Sequence, residues 1–578
     1  MVRSIWEDVP VDDGIVASLA SALDVPSVVA RLLCQRGLND PAQASRFLAP
    51  TLGHLNDPYH LAGMREAVAR LRQAIARRES IVVHGDYDVD GMTATVIVRR
   101  AIELLGGNVS HFVPDRAKDG YGLQAATIER LHASGVSVIV SVDCGIRAGE
   151  AADRARALGV DLLITDHHEP EATLPAALAV INPKRPDCRY PDKMLAGAGV
   201  ALKLAQALLA DDPRAADFLP HFVKMAAIGT LADVVPLVGE NRVIAACGLE
   251  GLSAGPHAAG LEALLDGSGL RGRSLDSFHV SFLLAPRLNA AGRMSSPEIA
   301  LELLLLRGRD AEARSRARDL AQQLADENGR RQEQEAAILA EARRSVERDP
   351  DIGAQNILVV AGDGWHRGVI GIVASKLVET YGKPAIVLSI EGGLARGSGR
   401  SIPVFDLLSC LESASDVMEQ FGGHRQAAGL TVEAARIPEL RRRLAQFANE
   451  RLAPSDFVPR LRIDAALGLN EISGPVVHGI SRLGPFGASN PKPVFRTSAI
   501  DLVSAPKLLK ERHLSLLVKQ QGRTFRAMAW RAADRSDYLS TNRYGLELAY
   551  SLGESEYRGE RVTELTVADI RVPAGVPA

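Results

Sequence analysis

An apolar strand that runs directly into a cluster of acidic residues is the feature that most constrains this chain. Residues 80–85 form a short, mostly apolar segment that is typical of a strand. Alternate positions from residue 84 to residue 90 are occupied by His84, Asp86, Asp88 and Asp90. Alternate residues of an extended segment point to the same side. Carboxylates packed this densely repel one another, so they cannot all be buried and ionised without compensation, usually a divalent metal ion. A calcium-type loop and a solvated acidic turn are competing interpretations, but neither normally follows a buried strand.

More polar residues follow other predicted strands of the same region. Asp143 comes directly after one apolar segment, and Asp166, His167 and His168 come directly after another. The predicted elements alternate, with strands at 80–85, 108–113, 136–142 and 161–164 and helices at 93–105, 124–133 and 147–158. This alternation indicates a parallel, doubly wound α/β sheet, in which ligands bind beyond the carboxyl ends of the strands. We therefore expect these side chains to gather at one edge of the sheet.

Asp233 completes the candidate set, because it lies in the apolar stretch 229–236, where a carboxylate is costly unless it is paired or binds metal. Together, these acid and imidazole positions predict a binuclear metal centre. Two metal ions roughly 3.5–4 Å apart can activate a water and clamp phosphate oxygens in a displacement reaction. Asp and His ligands suit Mn²⁺ or Mg²⁺, and the five scattered cysteines form no CxxC pair that would favour structural zinc.

The rest of the chain divides into further domains, as its 578 residues require. Residues 195–305 are predicted to be mainly helical, and a long helix, interpreted as an interdomain connector, ends before Pro350. A second α/β pattern has strands at 357–361 and 385–389 and a helix at 368–381, followed by a Gly- and Ser-rich loop at 392–401. Five strand-sized segments, at 494–503, 514–519, 524–530, 545–551 and 563–570, predict a C-terminal β-barrel. The predicted domains are 1–75 (helical), 76–308 (catalytic), 309–349 (connector), 350–454 (substrate domain) and 455–578 (barrel).

Charge and hydropathy narrow the possible partners and location. The net charge of −3 argues against a protein coated in basic charge, although a local basic groove can still bind nucleic acid. Residues 505–531 contain such a group, with Glu511 as the one acid and seven cations at Lys507, Lys510, Arg512, Lys519, Arg523, Arg526 and Arg531. Phe525 and Trp530 could stack on bases, but a place in the core is the favoured interpretation of both. The acidic first residues lack a signal-peptide pattern and no apolar run reaches the roughly 18 residues of a membrane span, so we expect a cytoplasmic protein without a membrane partner.

These motifs resemble those of a known superfamily. HGDYDVDG, the strand before Asp143, DHH and GTLADVVPL are similar to the four motifs of the DHH phosphoesterases. Five further segments, LNAAGRM, GWHRGVIGIVASKL, GSGRS, GGHRQAAG and GPFGASNPKP, resemble the RecJ family of bacterial single-strand-specific 5′→3′ DNA exonucleases, in order and over nearly the whole chain. The resemblance implies an α/β fold with a DHH-type parallel-sheet catalytic domain, a long connector helix, a smaller α/β DHHA1-type domain and an OB-like β-barrel.

The resemblance also implies roles for individual residues. It implies six metal ligands, namely His84, Asp88, Asp90, Asp143, His167 and Asp233. His168, Arg293 and Asp86 are implied to act in catalysis, with Arg293 holding the scissile phosphate and Asp86 placed behind the ligands or toward the substrate. The implied substrate-binding residues are Arg116, Ser398, Arg400 and His424, of which the first three would hold a terminal 5′-phosphate.

The implied activity is hydrolysis of single-stranded DNA from its 5′ end to mononucleotides in DNA repair and recombination, with two Mn²⁺ or Mg²⁺ ions. A helicase and a single-stranded-DNA-binding protein are candidate partners, and the expected state is a monomer. One alternative is a DHH phosphodiesterase for short oligoribonucleotides or cyclic dinucleotides, which would not need the basic barrel. Another is a DNA-binding scaffold that has lost catalysis, although every implied ligand position here holds a suitable residue.

Overall fold

The computed structural model describes residues 4–114, 122–308, 310–557 and 560–573, which form two compact units. The larger unit comprises Trp6–Ala258, Ser268–Ala285 and Arg460–Ala578. The smaller unit comprises Met1–Ile5, Ala259–Gly267 and Pro286–Pro459.

The chain begins with a short strand and three helices that pack on the C-terminal barrel. These elements are β1 (Ile5–Asp8), α1 (Asp13–Leu23), α2 (Ser27–Cys34) and α3 (Pro41–Leu48). The side chains of Asp12 and Asp40 cap α1 and α3 by accepting hydrogen bonds from backbone amides of the first turn. The buried faces of the three helices share one hydrophobic core with the barrel. No single helix of the described residues could span a membrane by length and composition, and only α1 and α2 together, bent by 117°, meet those two criteria.

The next elements build the predicted parallel sheet. They are α4 (Met64–Ala76), β2 (Ile81–Gly85), α5 (Val89–Leu104), β3 (Val109–Phe112), α6 (Ala125–Ala133), β4 (Val138–Val142), α7 (Gly149–Leu158), β5 (Asp161–Thr165), β6 (Ala179–Ile181), α8 (Gly197–Leu208), α9 (Ala215–Ala232) and α10 (Gly239–Ala254). The strand order is β3-β2-β4-β5-β6 and every pairing is parallel, which confirms the predicted sheet. Every residue of β2 and β4 is buried, as expected for strands covered on both faces. The chain reverses its direction of winding between β2 and β4, so the acidic run lies at the topological switch point.

The smaller unit combines helices with a mixed sheet. Its elements are α11 (Ala259–Gly267), α12 (Ala285–Met294), α13 (Glu298–Leu305), α14 (Ala311–Arg348), α15 (Pro350–Gly353), β7 (Leu358–Asp363), α16 (Arg367–Tyr381), β8 (Ala385–Glu391), β9 (Leu394–Arg400), α17 (Leu407–Glu412), β10 (Gln420–His424), β11 (Ala427–Glu433) and α18 (Ile437–Arg451). The strand order is β10-β11-β9-β8-β7, with only β7 and β8 parallel. The predicted connector is the unbroken helix α14, and the whole of it belongs to this unit.

One local prediction in this unit is wrong. Residues 392–401 were predicted as a loop, but residues 394–400 form β9, which pairs with β8 and β11. The glycines that suggested a loop are required by packing. A Cβ on Gly397 would lie 2.5 Å from Leu388 Cδ2, and one on Gly399 would lie 2.8 Å from Leu407 Cδ2.

The C-terminal part closes into a barrel, as predicted. Its elements are β12 (Arg460–Ile463), β13 (Ala465–Ala466), α19 (Gly474–Ser481), β14 (Phe495–Leu502), β15 (Lys507–Leu509), β16 (His513–Gln520), β17 (Arg523–Ala529), α20 (Ser536–Thr541), β18 (Leu546–Tyr557) and β19 (Glu560–Arg571). Strand β14 pairs with both β18 and β16, so five strands in the order β14-β18-β19-β17-β16 form a closed ring. Closure removes the exposed edges that an open sheet would present.

A single buried arginine joins three parts of the larger unit. Arg242 of α10 is 2% exposed, and its guanidinium lies 3.6 Å from the centre of the Phe47 ring at the end of α3. It donates to the Phe47 carbonyl at 2.9 Å and to three successive carbonyls after α19, those of Arg482, Leu483 and Gly484, at 3.0, 2.8 and 2.7 Å. The helix beside the parallel sheet is thereby tied to the N-terminal helices and to the segment that leads into the barrel.

We predict that Arg242→Met lowers the free energy of unfolding of the larger unit by about 2 kcal/mol or more, because each buried carbonyl that loses its donor carries a desolvation cost of roughly 1–3 kcal/mol. Denaturant titration of the full chain measures this change. Arg46→Met, at an exposed position of α3 next to Phe47, is the control and should shift the transition little. Equal midpoints for the two variants would show that Arg242 does not hold the unit together.

Candidate metal centre

The acidic run occupies the turn between β2 and α5. Asp88 is the N-cap of α5 and accepts a hydrogen bond from the Gly91 amide at 3.0 Å, so Asp90 lies in the first helical turn rather than on extended chain. A Cβ on Gly91 would come within 2.6 Å of the Asp86 amide nitrogen and carbonyl oxygen. Only glycine permits this tight turn, which folds the acidic side chains back over the end of the sheet.

Asp90 is fixed by the start of a distant helix. Its carboxylate accepts hydrogen bonds from the amides of Gly197 at 2.7 Å and Ala198 at 2.9 Å, the first two residues of α8. Burial, followed by the neighbouring charges of Asp233 and Asp88, raises the pKa of Asp90 well above its usual range. The first amides of α8 therefore fix the position of the Asp90 carboxylate, but they do not balance the negative charge of the surrounding aspartates.

Asp143 lies where β4 ends, with a left-handed backbone at φ 60°. It is 2% exposed, and its Oδ1 lies 3.1 Å from His167 Nε2 but accepts no hydrogen bond from the described residues. Burial and the charge of Asp90 raise the pKa of Asp143 well above its usual range. A Cβ on Gly197 would approach Asp143 Oδ1 to 2.4 Å, so α8 begins directly against this carboxylate.

Asp166 organises the turn that carries the two histidines. Its Oδ1 accepts from the amides of His167 and His168 at 2.7 and 3.1 Å and contacts His168 Nδ1 at 2.8 Å, while its Oδ2 accepts from the Ile146 amide at 2.9 Å. Burial and the adjacent His168 lower the pKa of His167 to about 3, so His167 is a neutral imidazole suited to metal binding. Although burial opposes it, the hydrogen bond with Asp166 raises the pKa of His168.

The described residues form three overlapping groups whose candidate ligand atoms lie within 4.8 Å of one another. The groups are Asp86–Asp88–Asp143, Asp90–His167–Asp233 and Asp143–His167–His168. The first two share no residue, and the third joins them. Oxygen and imidazole donors with uncompensated negative charge fit Mn²⁺ or Mg²⁺, and two sets of three fit two ions.

The three groups differ from the predicted ligand set at two residues, Asp86 and His84. Asp86, assigned to catalysis, lies in a ligand group with Asp88 and Asp143. His84, assigned as a ligand, is buried at the end of β2 with its Nδ1 3.6 Å from Cys144 Sγ and its ring 5.4 Å from that of Phe112. His84 belongs to none of the groups found among the described residues.

The predicted phosphate-binding residues of the smaller unit gather around the start of α16. Arg293, in the last turn of α12, donates to the Gly368 carbonyl at 3.2 Å. A Cβ on Gly371 would lie 3.0 Å from Ser398 Oγ and 3.3 Å from Arg400 Nη2, so β9 presents both side chains to the same helix. Arg400 Nη1 donates to Ser398 Oγ at 3.1 Å.

The remaining two predicted substrate residues are His424 and Arg116. The exposed His424 lies in register with Ala427, which itself pairs with Arg400, so it belongs to the same cross-strand row. Arg116 falls outside the described residues.

The barrel carries the predicted basic residues, with one correction to the aromatic ones. Trp530 is 57% exposed and its ring lies 5.0 Å from that of His513, so its assignment to the core is wrong. Phe525 packs partly against the barrel core, as favoured. Arg526 is paired with Glu564 at 3.3 Å, which reduces the free positive charge of this face.

Comparison with known proteins identifies the class of this fold and site. The DHH family N-terminal domain matches residues 80–230, the DHHA1 domain matches 354–450 and the RecJ OB domain matches 463–569. The parallel sheet with its acidic switch point is therefore that of a DHH-type protein, and the mixed sheet and barrel are its DHHA1 and OB domains.

Similar proteins of known name identify the family of DHH-type proteins to which this chain belongs. The single-stranded-DNA-specific exonuclease RecJ of Dickeya dadantii is 36% identical over 94% of this chain and 96% of its own length. The protein of the same name from Bacillus subtilis is 41% identical over 84% of this chain, which spans 61% of that longer relative. The crystal structure of RecJ from Thermus thermophilus in complex with Mn²⁺ superposes with a TM-score of 0.82 at 30% identity, covering 99% of this chain and 80% of that one. The chain belongs to the RecJ family.

The solved relatives bear on the choice of metal. The Thermus thermophilus protein has been crystallised with Mn²⁺ and, in a second structure that matches at a TM-score of 0.76, with Mg²⁺. Both ions accept the carboxylate and imidazole donors gathered here. The expected pair of divalent ions is therefore consistent with the donor set of this chain.

We predict that Gly197→Ala weakens Mn²⁺ binding roughly tenfold or more, because the added methyl group must displace the Asp143 carboxylate and the α8 amides that hold Asp90. Titration calorimetry with MnCl₂ measures the affinity, and circular dichroism checks the fold. The control is Gly149→Ala at the start of α7, where a Cβ meets nothing within 4 Å. Unchanged Mn²⁺ affinity in Gly197→Ala would show that these side chains do not form the metal site.

Proposed function

We propose that this chain is a metal-dependent exonuclease that degrades single-stranded DNA from the 5′ end and releases mononucleotides. The observation that carries the proposal is the pair of separate acid-and-imidazole groups, Asp86–Asp88–Asp143 and Asp90–His167–Asp233, at the switch point of a sheet in a RecJ-family chain. A two-ion centre of this composition suits hydrolysis of a phosphodiester bond.

The two Mn²⁺ or Mg²⁺ ions would be held by the six predicted ligands, with Asp86, which lies in one group with Asp88 and Asp143, beside them. The six are His84, Asp88, Asp90, Asp143, His167 and Asp233. When bound, the ions activate a water molecule and offset the negative charge of the phosphate. Asp143 and His167, which contact each other at 3.1 Å, link the two groups.

His168 is positioned to act on the phosphate itself. Its Nδ1 is engaged by Asp166 at 2.8 Å, which leaves Nε2 as the nitrogen available to substrate. The same contact raises the pKa of His168, which favours a protonated ring that donates Nε2–H to a phosphate oxygen. The buried hydrogen bonds of Asp166 fix the orientation of this ring.

The smaller unit is proposed to recognise the 5′ end. Arg400 and Ser398 lie together against Gly371 of α16, where a guanidinium and a hydroxyl favour an anion. We assign them, with Arg116, to the terminal 5′-phosphate, and we assign Arg293 to the scissile phosphate. His424, in the same cross-strand row as Arg400, is proposed to contact the same end of the strand.

The barrel is proposed to track the incoming strand with its basic residues and the exposed Trp530. An enzyme of this kind fits DNA repair and recombination in the cytoplasm. We propose that it acts as a monomer, with a helicase supplying single strands and a single-stranded-DNA-binding protein covering them.

The proposal predicts that the full chain with Mn²⁺ releases mononucleotides from a 5′-labelled single strand, but not from a blunt duplex. Asp143→Ala should reduce the rate to less than about 1% of wild type and leave strand binding largely intact, because even loss of a partner behind a metal ligand costs roughly 10- to 100-fold. Gel analysis of 5′- and 3′-labelled substrates measures rate and polarity, and a mobility-shift assay measures binding.

Asp153→Ala, at an exposed position of α7, is the control and should keep full activity. Cleavage retained by Asp143→Ala would contradict the assigned centre. A preference for dinucleotides over long strands would instead support a DHH phosphodiesterase of short substrates.

We predict that Arg400→Ala reduces the preference for 5′-phosphorylated over 5′-hydroxyl strands roughly tenfold or more, because charge-assisted hydrogen bonds to the phosphate are lost. Relative kcat/KM on the two substrates measures the preference. Arg442→Ala, at an exposed position of α18 in the same unit, should leave it unchanged. An equal loss on both strands would show that Arg400 does not read the 5′-phosphate.

A further inference from the structure

Two exposed phenylalanines of the larger unit stack on each other at the start of a π-helix. Phe278 is 56% exposed and Phe282 is 65% exposed, and their rings stack at 5.0 Å between centroids with an interplanar angle of 26°. Aromatic residues make up only 4% of the chain. Among the described residues, the other aromatic side chains with comparable exposure are Trp530 and Tyr544 of the barrel. Large rings left in water in this way indicate a surface that receives a ligand.

The pair is held by a π-helix, an irregularity that is frequent at functional sites. The π-helix spans His279–Leu284, and its Val280 and Leu284 are fully buried. The inward residues anchor the turn, so the exposure of the two phenylalanines is imposed by the backbone of an ordered helix.

Two serine side chains tie this turn to the last turn of α9 and to the segment that leads into the barrel. Ser281 Oγ donates to the Leu231 carbonyl at 2.8 Å, two residues before the candidate ligand Asp233. Ser277 Oγ donates to the carbonyl of Phe486, in the segment that leads into the barrel. The turn that carries the two rings is therefore fixed against the end of α9, the helix whose C-cap is Asp233.

The local charge determines which part of a strand can meet these rings. Asp276 lies two residues before Phe278, and its side chain is 64% exposed and contacts His279 at 2.5 Å. Carboxylates repel a phosphodiester backbone, whereas the flat faces of neutral bases stack favourably on phenylalanine. The exposed rings thus suit the bases of a single strand.

We propose that Phe278 and Phe282 form a base-stacking platform that positions the substrate strand beside the metal centre. This inference rests on the proposed function, since it assumes a single-stranded DNA substrate. The platform is a positioning device: it holds bases, while the metal centre acts on the phosphate.

Kinetics of the full chain with Mn²⁺ on a 5′-phosphorylated oligodeoxyadenylate test the platform. Phe278→Ala combined with Phe282→Ala should raise KM roughly five- to hundredfold, the range of base–aromatic stacking, with little change in kcat. The conservative pair Phe278→Trp and Phe282→Trp should retain the wild-type KM. Leu178→Ala, an exposed apolar residue just before the edge strand β6, is the matched control.

A scan with single abasic sites, moved one nucleotide at a time from the 5′ end, separates stacking from a purely structural role. In the wild type, one or two positions should show a raised KM, and in the double alanine variant these positions should lose their effect. Equal sensitivity of both proteins to the abasic sites, or an unchanged KM in the alanine variant, would overturn the platform while leaving the exonuclease assignment intact. A wild type that does not degrade the strand would overturn both.

Discussion

Crowding of buried carboxylates at one end of a parallel sheet is the constraint on which the rest of this molecule depends. Asp86, Asp90, Asp143 and Asp166 are each at most 3% exposed. Asp86, Asp143 and Asp166 follow the adjacent strands β2, β4 and β5, and Asp90 lies in the first turn of α5. Asp166 is satisfied by three amides and a histidine, and its pKa is lowered even though burial opposes this. Burial raises the pKa of each of the other three, because their charge is not balanced by the surrounding side chains. Metal ions complete such a site electrostatically.

The crowded carboxylates lie at the first turns of two helices, α5 and α8. The first amides of α8 point at Asp90, and Asp88 caps α5, so two helix starts direct their partial positive charge toward the carboxylates. A glycine at position 197 allows the helix to approach within contact of Asp143. The backbone of these elements therefore shapes the site, and the side chains supply the ligand atoms.

Much of this architecture could be predicted from the sequence, and the failures share a physical cause. The buried strands β2, β4 and β5 are continuous apolar runs, and the barrel strands are separated by turns, so both could be located from the pattern of apolar residues. Strand β9 was missed because its glycines are selected by close packing against Leu388 and Leu407, which composition alone cannot distinguish from loop flexibility. The hydrogen bonds of Asp90 with Gly197 and of Arg242 with Leu483 join residues more than a hundred positions apart, and no local pattern encodes such contacts.

The predicted ligands also show that the alternation of side chains along a strand does not extend through residues 86–90. Because residues 86–90 turn into a helix, the side chains do not follow the period of a strand, and Asp86 joins Asp88 and Asp143 whereas His84 does not. Both Asp143 and Val234, which follows the ligand candidate Asp233, have left-handed backbones, with φ values of 60° and 59°. For a β-branched residue such as Val234 this conformation costs about 1–2 kcal/mol, and strain of this kind persists only where the surrounding contacts impose it. The strained backbone of Val234 thus directly follows the carboxylate of Asp233. A metal ion held by Asp233 would therefore favour a conformation that the chain adopts at a cost.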